Sequence, residues 1–402
     1  MISIPYFQGV TTRRVKTAVA AAGISSFALL YAPQPVLPQL AAQYHLDPGG
    51  AALAISVATG ALAIAVLPIA ALSEVVGRRP VILTSVVASV VFGLLVPLMP
   101  TYPALLVMRA FQGIAIAGFP GVAAAYLAER LGRAGVAAAV GAMIAGNTVG
   151  GMLGRLASGF TAGPLGWRGA LYVVAGVGAV CSAITVVTLP PGTSRGNVRL
   201  RAVATGLVTA LRRPVLLAQY AVALLAMGSF VALYNAAGFR LTGDPLHLSP
   251  AVASLVFLAY ATGSVSSAAA GRLVARVGRR RALIGSLLLT AAGAALTLPD
   301  SLPLVIAGFL LLTCAFFAAH AVANGWAAAE APEDARGQVG GTYTASYYLG
   351  SSVGGAAGAW VYGHAGWPWL IAVVAAWLLL AVAVVGTGTR VRVGRAELVN
   401  AG

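Results

Sequence analysis

Arg109 and Arg155 stand inside stretches that otherwise carry no charge at all. A guanidinium in an apolar segment costs about 2.5 to 3.5 kcal/mol on membrane-insertion scales, so its presence calls for a purpose. Two purposes fit: receiving an anionic solute, or reaching a headgroup or unpaired backbone carbonyls. The nine acids are Asp47, Glu74, Glu129, Asp244, Asp300, Glu330, Glu333, Asp334 and Glu397, and none falls inside an apolar stretch. A cavity lined by the two arginines would therefore be positive, and the buried carboxylate that commonly carries a proton is absent. His320 is the one apolar-segment group whose ordinary titration lies near neutrality, which leaves it as either a proton site or a packing residue. Tyr31, Gln34, Gln112, Asn147, Tyr234, Asn235, Asn324, Tyr343 and Tyr347 add polar groups to otherwise apolar runs. Facing hydrocarbon would be costly for the amides, so they are expected to point inward, to solute or to a neighbouring segment.

The elements that position these groups follow from composition. Hydrophobic residues make up 59% of the 402-residue chain and charged residues 8%, with a mean hydropathy of +0.91. A water-soluble fold carries about a quarter charged residues, so hydrocarbon is the solvent here. The apolar runs are long and rich in Ala, Leu and Val without strict alternation, which predicts helices rather than a barrel. Twelve spans are predicted, at 17–38, 50–72, 81–99, 103–126, 136–161, 169–189, 215–237, 250–270, 282–299, 303–326, 338–360 and 369–388. Arg109 and Arg155 then lie at matching depth, some six residues from the outer ends of spans four and five, roughly 9 Å at 1.5 Å per residue.

An even number of spans puts both termini on one side. With a cytoplasmic N-terminus the inner segments hold 21 of the 25 basic residues, and the outer loops only Arg168 and Arg240. The positive-inside rule then places both termini in the cytoplasm. The net charge of +16 does not indicate nucleic acid, because the arginines are scattered through short loops. Arg13, Arg14 and Lys16 precede an apolar run too long for a signal peptide, so no cleaved leader is expected. Cys181 and Cys314 read as small buried hydrophobes, and no cofactor or metal is implied. The division predicted is 1–189 as one six-helix half, 190–214 as a cytoplasmic linker and 215–402 as the second half. Within the linker, Val198 to Leu211 is either an amphipathic helix on the inner leaflet or a flexible charged tether.

The two halves repeat. Leu72, Gly77, Arg78 and Arg79 recur as Leu273, Gly278, Arg279 and Arg280, 201 residues later, with Gly271 opening the second copy. Ala128-Glu129 recurs as Ala329-Glu330 at the same spacing, and Gly166-Trp167 as Gly366-Trp367. Six spans separate the copies, so the duplication is parallel. Glu74 belongs to the first copy alone, since Ala275 stands at its counterpart. A carboxylate and guanidiniums at these helix ends can pair across the halves when the inner mouth closes, or they can serve topology only.

These residues resemble the Major Facilitator Superfamily over essentially the whole chain. The family's loop motif appears as Ala70, Leu72, Glu74, Gly77, Arg78 and Arg79, with Ala and Glu where the family has Gly and Asp. Tyr31, Gln34, Pro35 and Pro38 are similar to bacterial drug/proton-antiporter permeases of the inner membrane. Arg109, Gln112 and Gly113 match the Arg-x-x-Gln-Gly of proton-coupled members. Gly141, Gly150, Gly154 and Ser158-Gly159 follow the antiporter motif of the fifth helix, with Arg155 where the family places Pro. The resemblance implies an all-α integral membrane protein of twelve transmembrane helices, with the first, fourth, seventh and tenth lining the pathway.

It also implies a secondary transporter of a small organic solute, exporting it by alternating access with protons as the second cargo. Facilitated uptake or exchange of a small anion, uncoupled from protons, is the alternative raised by the two arginines. No phosphate-binding loop is present, so direct drive by ATP is excluded. His45, His247 and His364 are scattered over separate loops and make no enzyme centre. The expected partners are a small-molecule substrate, protons and membrane lipid, with no nucleic acid and a monomeric chain.

Overall fold

The computed structural model describes residues 5–131, 133–191 and 200–388, and among them every regular element is a helix. Pro5–Tyr31 (α1), a 3-10 turn at Gln34–Val36 and Leu37–Tyr44 (α2) make the first span. Pro48–Val76 (α3) and Arg78–Leu95 (α4) are the second and third, and Tyr102–Ala117 (α5) with Ala123–Arg130 (α6) the fourth. Arg133–Thr188 (α7) carries the fifth and sixth, and Leu200–Arg212 (α8) follows. Pro214–Thr242 (α9) is the seventh, and Pro250–Ser254 (α10), a 3-10 segment and Tyr260–Val277 (α11) form the eighth. Arg279–Leu296 (α12), Leu302–Glu330 (α13) and Arg336–Gly388 (α14) supply the rest.

The twelve spans stand where hydropathy predicts them, with longer ends. The connections at 162–168 and 361–368 are shorter than expected. Helix runs through each and breaks only at Gly166 (φ +65°) and Gly366 (φ +82°). Hydropathy marks the apolar zone, whereas helical hydrogen bonding continues into polar residues beyond it. The linker contains a helix over Leu200–Arg212, which favours the amphipathic reading over the tether. Residues 192–199, with Arg195, Val198 and Arg199, and the tail arginines Arg390, Arg392 and Arg395 lie outside the described residues.

Local sequence explains the ends. Asp47 accepts the Gly50 N–H at 2.9 Å and Pro48 occupies the first turn of α3. Gly77 and Gly278 end α3 and α11 at φ +103° and +81°, a conformation that a side chain would strain. Trp167 and Trp367, each just past a break, are buried and donate from Nε1 to Gln43 Oε1 (3.0 Å) and Thr297 O (3.1 Å).

The chain divides into two compact units, one of Met1–Arg199 with Leu241–Gly243 and His247–Phe257, the other holding the remainder. Within the first, α1 and α7 meet along glycines. A Cβ on Gly150 would lie 2.5 Å from Ile24 Cα, and one on Gly154 2.6 Å from Ala28 Cα. In the second, Gly350, Gly354 and Gly358 of α14 press in the same way on Leu224, Gly228 and Ala232 of α9. Lipid gives helices no hydrophobic reason to associate, so backbone-to-backbone contact of this kind is what binds them. Large apolar side chains meanwhile face outward, with Val187 83% and Ile64 76% exposed, as a hydrocarbon surrounding requires.

Candidate functional site

The site in the first unit grows from two prolines. Pro33 has no N–H to offer the carbonyl of Leu29 and Pro35 has none for Tyr31, so α1 stops at Tyr31 and a 3-10 turn follows. Carbonyls released in an apolar setting need new donors. Arg109 of α5 reaches this break: Nη1 donates at 3.2 Å to Leu29 O, which Pro33 leaves without its usual donor, and Nη2 donates to the next carbonyl, Leu30 O, at 2.5 Å. Its Nε donates to Ala54 O of α3 at 2.7 Å, and Nη1 also donates to Gln112 Oε1. Gln112 Nε2 donates onward to Ser89 O of α4 at 3.0 Å. A Cβ on Gly113 would collide with the carbonyl of Ala58, so this glycine lets α5 reach α3. The Arg-x-x-Gln-Gly stretch thus ties four helices together. Arg109 is 1% exposed, and its charge is met by dipoles alone.

Arg155 of α7 grips the same break from another side. Its Nε donates to Gln34 Oε1 at 2.5 Å and its Nη1 to Gly151 O at 2.7 Å. The guanidinium lies 4.0 Å from the ring centre of Tyr31 and 5.3 Å from that of Phe257. Stacking on aromatic faces offsets part of the loss of hydration without neutralising the charge. Tyr31, Gln34 and Arg155, chosen from sequence on separate grounds, form one buried cluster. Asn147 lies elsewhere on α7 with Oδ1 against Gly23 of α1, where it meets no hydrogen-bond donor.

The second unit holds aromatic rings instead. Tyr234 Oη hydrogen-bonds Thr313 Oγ1 at 2.7 Å, and its ring meets Phe230, Tyr260 and Phe309 at centroid distances of 4.8, 5.3 and 5.1 Å. Phe230 stacks on Phe316 at 4.0 Å. His320 Nδ1 lies 3.1 Å from Tyr343 Oη, with the Tyr347 ring 4.6 Å away. Asn235 joins α9 to α14 by donating to Gly355 O at 3.3 Å, and Asn324 is exposed.

At the loop between the second and third spans, Glu74 accepts from Arg78 at 2.7 Å. Arg78 also pairs with Glu129 and donates to Ala125 O at 3.0 Å, while Arg79 donates to Leu189 O at 3.1 Å. Leu72 is exposed. In the second copy Arg279 Nη1 approaches Glu330 Oε1 at 4.0 Å, Arg280 donates to Gly386 O at 3.0 Å, and Gly271, Leu273 and Gly278 are exposed. Reading the loop alone misses Glu129 and Glu330 as partners. The signal for them was their own 201-residue spacing, the same as that of the arginines they meet.

Comparison with known proteins places this architecture. The family model described as Major Facilitator Superfamily matches residues 19–243 and 235–397. The chain is 38% identical over 389 residues to the inner membrane transport protein YnfM of Escherichia coli K12, covering 94% of this chain and 90% of that one. It is 34% identical over 373 residues to the uncharacterized MFS-type transporter YybF of Bacillus subtilis 168, covering 92% of each. Among solved structures it resembles a bacterial homolog of the human lysosomal transporter Spinster, inward-facing and unoccupied. The TM-score is 0.77 at 16% identity, over 97% of this chain and 98% of that one.

Proposed function

We propose a cargo and a mode of action for a chain that belongs to the Major Facilitator Superfamily and is therefore a membrane transporter, not an enzyme. The cargo is a small organic solute bearing negative charge, moved by alternating access of the two six-helix halves, 1–189 and 215–402. The transporter acts as a monomer in the cytoplasmic membrane, with both termini on the cytoplasmic side. Support for that location is the distribution of arginines and the similarity to an Escherichia coli relative named for the inner membrane.

The observation that carries the anionic cargo is the seat of Arg155. Its cation rests on Tyr31 and Gln34 at the break of the first span, and none of the chain's nine acids lies in a predicted span. Arg109 is a poor rival, because carbonyls and Gln112 already occupy its donors. The test is uptake into proteoliposomes of solutes matched in size but differing in charge, comparing parent with Arg155→Gln and Arg155→Pro. The expected result is a selective loss of anion transport in both variants. Unchanged handling of solutes of either charge would sink the proposal.

Proton-coupled export is the second reading, and the His320–Tyr343 contact at 3.1 Å favours it. An imposed pH gradient should then accelerate transport by the parent and leave His320→Gln unaffected. A parent indifferent to the gradient removes coupling and leaves facilitated exchange.

A further inference from the structure

The two copies of the repeated loop differ in how their arginines are neutralised. In the first, Arg78 has two carboxylates, Arg79 has a carbonyl, and both are half-buried. In the second, Arg272, Arg276, Arg279, Arg280 and Arg281 are all exposed, and Ala275 replaces the acid. Arg272, Arg276 and Arg281 have no side-chain partner among the described residues.

The end of α8 adds to this cluster. Arg213 Nη1 donates to the backbone carbonyl of Glu330 at 3.0 Å, and Glu330 is also the acid that Arg279 approaches. Arg212 and Arg213 are exposed, as are Val208 (46%) and Leu211 (47%) on the same helix. Leu273 and Val277 are exposed between the arginines of the loop. With Arg336, this end of the second unit presents eight arginines against three acids, Glu330, Glu333 and Asp334, and Glu333 already faces Arg336 at 3.7 Å.

Excess cations alone would bind any anion. Cations interleaved with exposed valine and leucine fit a medium that is anionic at one level and apolar just beneath, which is a phospholipid surface. We propose that this end of the second unit is a docking surface for anionic phospholipid headgroups of the leaflet it faces. The matching loop of the first unit, whose Arg78 and Arg79 are satisfied from within, is not. The inference rests on the membrane-transporter reading and needs neither the solute nor its charge.

The test uses the full chain purified into nanodiscs assembled from equal parts phosphatidylglycerol and phosphatidylcholine, followed by native mass spectrometry of the lipids that stay bound. Arginine near an anionic surface is worth about fivefold each in lipid preference, so replacing three should lower it on the order of a hundredfold. The parent should retain phosphatidylglycerol selectively. The variant Arg272→Gln/Arg276→Gln/Arg281→Gln, whose side chains hold nothing in the fold, should lose that selectivity. Arg79→Gln should keep it. Equal retention of the two lipids by the parent, or undiminished preference in the triple variant, overturns the docking surface. With solute transport measured on the same purified proteins in sealed proteoliposomes, a parent that transports without lipid preference refutes this inference and leaves the transporter reading intact.

Discussion

Replacing Arg109 with lysine keeps the charge and removes the fork, which separates its two possible roles. The guanidinium donates to four acceptors, the carbonyls of Leu29, Leu30 and Ala54 and the Gln112 amide oxygen. These acceptors belong to α1, α3 and α5, so an ammonium at a single point cannot reach them all. At least two should be left unpaired. Each buried acceptor stranded in this way costs about 1 to 3 kcal/mol, so Arg109→Lys should destabilise the fold by about 2 to 6 kcal/mol. For a unit of this size that lowers the unfolding midpoint by roughly 5 to 20 °C. The assay is thermal unfolding of detergent-purified protein with a thiol-reactive dye, for which the free, half-buried Cys181 and Cys314 are built-in reporters. Gln112→Ala removes one acceptor and leaves Arg109 its three carbonyls, so its loss should be the smaller. A lysine variant that melts within a degree of the parent would refute the clamp and return Arg109 to the list of solute-binding groups.

Four further outcomes follow from the contacts. Gly150→Ala must push α1 and α7 apart, because its Cβ would lie 2.5 Å from Ile24 Cα, and overpacking of this kind costs about 1 to 3 kcal/mol. Gly141→Ala on the same helix meets nothing within 4 Å and should melt at or above the parent's temperature. Glu129→Gln breaks one arm of the Arg78 pair at a half-exposed site, so stability should change by no more than about 1 kcal/mol while transport slows. Transport at the parent's rate would reduce the pair to a topology signal. Trp367→Phe removes the donor that Thr297 accepts from at 3.0 and 3.1 Å, and should cost about 1 kcal/mol in the same melting assay.

The fold was legible in this sequence because its governing variable, hydropathy, is a local property, and because the duplication shows each element twice. The candidate residues stood out in the sequence, whereas their contacts did not. Arg109 and Arg155 declared themselves as charges in apolar helices, and Pro33 and Pro35 as helix breakers. Nothing local says that an arginine 80 positions downstream reaches the Leu29 carbonyl that Pro33 releases. That link depends on helix packing, as do the contacts of Arg155 with Tyr31 and Gln34. The glycine seam shows the same boundary from the other side. Gly146, Gly150 and Gly154 stand four residues apart, and Gly350, Gly354 and Gly358 repeat that spacing, yet only the approach of backbone atoms identifies α1 and α9 as their partners.

Duplication also shows where equivalence ends. Both copies of the loop keep the turn glycine and the paired arginines, and both bring an arginine to the acid that closes the following span pair, Glu129 or Glu330. The first copy adds Glu74 and buries its arginines, so its charge is satisfied within the protein. The second exchanges that acid for Ala275 and adds Arg276 and Arg281, so its charge must be satisfied by whatever lies outside. A common turn has thus been kept by backbone geometry while its electrostatics diverged. The experiment that separates the two copies is a salt series. Screening should weaken anything held by the exposed second copy well before it disturbs the half-buried Glu74–Arg78–Glu129 group. If lipid retention and transport fall together over the same range of salt, the two copies are not electrostatically distinct and the assignment of separate roles fails.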